Sequence, residues 1–137
     1  MGYARWVFKA SLVDEYGMAL PPVVQAAYGS CFDERINGIT LFANGHVMQM
    51  LEGEFTELQS AMRNLRDISK IFGMVPLLQE AIEAPTSPGV AVGLNRFADT
   101  ISEHLPPQVH VFRLCEAEIC ARTAPGAARD LLLGFIM

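Results

Sequence analysis

The most regular pattern of apolar and polar positions lies in the twenty residues ERINGITLFANGHVMQMLEG, residues 34–53. Two apolar runs, 38–43 and 47–51, flank Asn44-Gly45. Asn-Gly between such runs predicts a β-hairpin with a type I′ turn, because both residues tolerate positive φ. Side chains alternate along a strand, so Val47, Gln49 and Leu51 share one face, while His46, Met48, Met50 and Glu52 share the other. Gln49 is thereby a polar group set among apolar neighbours.

The chain before the hairpin predicts a strand over residues 5–10, where Trp6 and Phe8 alternate with polar positions, a connection over 12–20, and a helix opened by Pro21-Pro22. Val24, Ala27, Tyr28 and Cys31 lie on one face of that helix. After the hairpin, residues 54–70 predict a second helix, with Leu58, Met62 and Leu65 on one side, Ala61 and Ile68 widening it, and Glu54 and Glu57 at the favourable N-terminal end. A fourth strand is expected over 74–81, where Pro76 implies a free edge or a bulge. The segment APTSPG, 84–89, is a loop, and 90–94 is a possible fifth strand. Helical candidates follow at 97–105, 113–122 and 127–136, separated by Pro106-Pro107 and Pro125-Gly126, with a strand the second choice over 109–114.

This order predicts an α+β fold, a ferredoxin-like β-α-β-β-α-β(β) sandwich with both helices on one sheet face. Met48 and Met50 then point to the opposite face and need a cover, which the C-terminal helices supply. The expected organisation is a core over residues 1–95 and a helical extension over 96–137 packed on the same domain.

The hairpin resembles the BLUF family, the flavin-binding blue-light sensor domains. The family's Ile-Thr-Gly-like triplet, Gly-ended turn and Phe-x-Gln-x-Leu-Glu-Gly run correspond without a gap to Ile36-Asn37-Gly38, Asn44-Gly45 and Val47-Met48-Gln49-Met50-Leu51-Glu52-Gly53. The resemblance implies a FAD ring held between two helices on the sheet, and a light-switched hydrogen-bond network of a strand Tyr, a helix Asn and the strand Gln. Gln49 matches the Gln. Cys31 stands at the Asn position, and a thiol cannot present an amide's paired donor and acceptor. The Tyr position falls on Phe8, or on Val7 if no gap is allowed, and neither has a hydroxyl. The family's Gly-Trp-Ser-Met-like run is Gly89-Val90-Ala91-Val92, and residues 82–87 hold no basic group for a flavin phosphate.

Each lost buried partner weakens such a site by about 1–3 kcal/mol. The expectation is therefore a BLUF-like signalling domain without the normal photocycle, its FAD absent or weakly held, acting through a protein partner or as a homo-oligomer. Two alternatives stand beside it: a functional FAD-binding blue-light photoreceptor, and a small-molecule binder in the inherited cleft.

Composition narrows the partners. In 137 residues, 51% are apolar and 18% charged, which suits one domain with a large buried fraction or an apolar association surface. A net charge of −5 argues against a nucleic-acid partner. No run is long enough to span a membrane and the N-terminus has no signal-peptide core, so the expected location is cytoplasmic. Cys31, Cys115 and Cys120 form no disulfide or zinc pattern and are expected as buried thiols, and His46, His104 and His110 suggest no metal face. No catalytic motif is present: Asp14 and Glu15 occupy the loop where an acylphosphatase-like hydrolase needs a phosphate cradle, and Glu52 and Glu54 are expected as strand-end and helix-start residues. The chain is not expected to be an enzyme.

Overall fold

The computed structural model describes residues 2–12, 35–67, 71–94, 105 and 108–137. The expected first helix with Cys31, nearly all of the 97–105 candidate, and His104 lie outside the described residues.

The described elements are β1 (Tyr3–Leu12), β2 (Ile36–Ala43), β3 (His46–Glu54), α1 (Phe55–Arg66), β4 (Ile71–Ile82), β5 (Val90–Leu94), β6 (Val109–Arg113), α2 (Glu116–Arg122) and α3 (Ala127–Ile136). The six strands form one sheet in the order β4-β1-β3-β2-β5-β6. The first four are antiparallel neighbours, whereas β5 and β6 run parallel to β2. The fold is the expected ferredoxin-like α+β arrangement, extended at one edge by two parallel strands.

The hairpin forms as the sequence implies. Asn44 and Gly45 adopt φ of 54° and 79°, and Ala43 faces His46 across the turn. Strand alternation then sorts β3: Val47 and Leu51 enter the core with α1, and Met48 and Met50 enter the opposite core. Helix α1 buries Leu58, Ala61, Met62 and Leu65 against the first core. It is shorter than expected at both ends: Glu54 caps it and Asp67 follows its last turn. Trp6 is a core residue of the same face, with its ring edge-on to Phe55 at 5.5 Å.

The C-terminal helices cover the second face, where Ile119 of α2 and Ala128 and Leu132 of α3 pack with Val7, Ile39, Leu41, Met48 and Met50. Full burial of a side chain such as Leu132 contributes about 1.5–3 kcal/mol. Two expectations are corrected in this region. Residues 109–113 are strand, so the helix expected over 113–122 begins only at Glu116. Period two wins there because Val109 and Val111 turn to one core and Phe112 to the other. Cys115 is exposed rather than buried, because it sits outside the first turn of α2.

Strand β4 runs from residue 71 to 82, four residues longer than expected, and forms an edge of the sheet. Its pairing with β1 shifts register twice, beside Leu77 and at Gly73-Met74, and Gly73 takes φ of 64°. Pro76 lies within this bulged edge, as its missing N–H requires.

Candidate functional site

The centre of the α1 face is a row of side chains set by strand register alone. Phe8 of β1 lies opposite Gln49 of β3, Gln49 opposite Thr40 of β2, and Thr40 beside Val92 of β5. All four are buried, Gln49 and Thr40 completely. Val7 points to the opposite core, so Phe8 is the β1 side chain next to Gln49.

Gln49 donates from Nε2 to Thr40 Oγ1 at 2.7 Å. Its Oε1 is buried and has no hydrogen-bond partner among the described residues. A buried acceptor left in this state costs about 1–3 kcal/mol. The neighbour on the other side is an aromatic ring that can donate nothing. Of the sequence-derived site residues, the structure therefore brings Gln49 and Phe8 together, and Cys31 lies outside the described residues. Thr40 was not anticipated as a partner of Gln49. The signal was available, because the two residues are equidistant from the Asn44-Gly45 turn and an ungapped hairpin must pair them.

Three residues along β3, on the other face, Glu52 is also fully buried but lacks nothing. Its Oε2 accepts from Arg5 Nε at 2.8 Å and from Thr86 Oγ1 at 2.9 Å, while its Oε1 accepts from the backbone N–H groups of Thr86 and Ser87 at 2.8 and 2.7 Å. Arg5 also reaches Glu80 Oε1 at 2.7 Å. Burial disfavours the guanidinium charge, but the hydrogen bonds to Glu80 and Glu52 outweigh it and raise its pKa, so Arg5 stays charged. The cluster fastens the loop between β4 and β5 to the central strands, where the sequence suggested only a strand-end carboxylate. Gly53 completes the motif for a steric reason, since a Cβ there would lie 2.8 Å from the carbonyl oxygen of Arg35.

No family model and no curated protein matches the chain. Solved structures do. The chain superposes on the BLUF domain of BlrP1 with a TM-score of 0.65 at 14% identity, over 99% of this chain and 88% of that one. The fold is that of a BLUF domain. It also matches Klebsiella pneumoniae BlrP1 in a manganese and cyclic-diGMP complex, with a TM-score of 0.70 at 18% identity over 98% of this chain. BlsA in its photo-activated state matches with a TM-score of 0.50 at 16% identity over 61% of this chain. The chain spans 32% of that BlrP1 chain and 62% of BlsA.

The family resemblance implied a hydroxyl beside the strand glutamine to exchange an electron and a proton with flavin. Phe8 does not supply it. Gln49 Oε1 has no partner among the described residues, and Val90 and Val92 turn their methyl groups into the same core. Among the described residues, Gln49 Oε1 is thus a buried acceptor set beside the Phe8 ring. Among the described residues no group of three or more His, Cys, Asp or Glu side chains could hold a metal, and no helix is long and apolar enough to cross a membrane.

Proposed function

We propose that the chain is a sensory or signalling domain of BLUF type that has lost the normal blue-light photocycle and acts by binding protein, either a partner or another copy of itself. The observation that carries this is the pairing of Phe8 with Gln49, an aromatic ring without a hydroxyl at the one β1 position able to touch the amide. FAD is absent or weakly held on this proposal, and the domain is not an enzyme. Strand β4 supports the interaction mode. Among the described residues it has no strand partner on its outer side, and Phe72, Val75 and Leu77 on it are exposed. Such an edge is a template for pairing with another chain.

The absorption spectrum of the purified protein tests the first half. A colourless protein, or a yellow one without a reversible red shift under blue light, is expected. A reversible shift would establish the rival reading, a working photoreceptor. Light scattering after gel filtration tests the second half, where a monomer at high concentration that captures no partner would remove the interaction role. The open acceptor of Gln49 favours one further reading, a small-molecule binder whose ligand carries an N–H or O–H donor. Mass analysis of what the native protein releases on denaturation would reveal it.

A further inference from the structure

A concavity lies on the flank of α1, and neither Gln49 nor Phe8 lines it. Its volume is about 340 Å³, at the lower end for small-ligand sites. One wall is a helical stripe: Gln59, Met62, Arg63 and Arg66 follow the i, i+3, i+4, i+7 spacing that puts them on one side of α1. The opposite wall is β4, which contributes Met74, Pro76 and Gln79, and Trp6 completes the lining.

The β4 bulge makes this wall. Pro76 and Gln79 are three apart and would point to opposite faces of a regular strand. The extra residue, Leu77, restores them to one face, with Pro76 opposite Phe8 and Gln79 opposite Trp6. The result, among the described residues, is a cleft with an aromatic and thioether interior, two carboxamides, two guanidinium groups and no carboxylate in its lining, on a chain whose net charge is −5. Complementing the C-terminal end of a helix accounts for arginines in its last turn. It does not account for their meeting Trp6, Gln59 and Gln79 around one hollow.

We infer that this cleft binds a small planar aromatic anion. The ring packs against Trp6 and the methionine side chains, the carboxylate or phosphate is held by Arg63 and Arg66, and the two glutamines meet its polar edge. Guanidinium groups suit the anion because they present paired N–H donors to two oxygens. The inference does not depend on whether flavin is bound at Gln49.

Trp6 is the chain's single tryptophan, so its emission reports occupancy of the cleft directly. The full chain is titrated with benzoate and with adenosine 5′-monophosphate, against benzamide and adenosine as neutral counterparts, under selective indole excitation. Saturable quenching by at least one anion, with the neutral molecule binding about tenfold or more weakly, is expected, and Arg63→Gln and Arg66→Gln should each raise the Kd about tenfold, the loss of one charge-assisted hydrogen bond. Both arginines are exposed, so the variants should fold, which circular dichroism verifies. No saturable response to either anion, equal binding of the neutral counterparts, or unchanged affinity in the double variant would each overturn the proposal.

Discussion

Gln49 and Glu52 are three residues apart on β3, both completely buried, yet they are opposites as polar sites. The Glu52 carboxylate accepts four hydrogen bonds from a charged arginine, a hydroxyl and two backbone N–H groups. Among the described residues the Gln49 amide makes one side-chain bond, to Thr40, and its oxygen has no partner beside a phenyl ring. A site complete within the protein is an element of architecture. A buried acceptor with no partner among the described residues is the atom to which the small-molecule reading assigns a ligand. The motif run that carries the family resemblance thus contains both kinds of residue.

The sharpest way to break this contrast is Glu52→Ala. It orphans the N–H groups of Thr86 and Ser87 and releases the β4–β5 loop, and a loss of about 3–5 kcal/mol is expected in denaturant unfolding. Gly53→Ala should come next, at about 1–3 kcal/mol, because the added methyl meets a backbone carbonyl that cannot rotate away. Gln49→Leu should change stability by no more than about 1 kcal/mol, since it removes one hydrogen bond together with one unsatisfied oxygen. If it costs as much as Glu52→Ala, Gln49 is a structural amide and the contrast fails. The smallest effect on stability is expected from Phe8→Tyr, within about 1 kcal/mol, a hydroxyl donor added where an acceptor waits. Its decisive readout is spectroscopic: with FAD added, the proposed reading expects a light-dependent red shift in the tyrosine variant and none in the natural chain.

Much of this arrangement was legible beforehand. Asn44-Gly45 set the turn, and the turn set the β2–β3 register that places Thr40 beside Gln49, whereas Phe8 reaches its other side through the non-local pairing of β1 with β3. The covered second face was equally readable, because Met48 and Met50 could not face water and residues 127–136 offered the apolar stripe to cover them. Strand β6 was harder, since five residues of alternating pattern next to a helix candidate support either period. The role of Glu52 was not readable at all, because its partners come from positions 5, 86 and 87.

By itself the sequence determined whatever depends on neighbours along the chain: the hairpin, the face each β3 side chain takes, the amphipathic helices, and the absence of a hydroxyl at residue 8. Only the tertiary structure decided what depends on distant segments meeting. It fastened the β4–β5 loop to Glu52, bulged β4 so that Gln79 joins the flank of α1, and gave Gln49 Oε1 no partner among the described residues. Local periodicity fixes which way a side chain points, whereas the partner it meets is set by loop closure and packing between segments that no short-range pattern encodes.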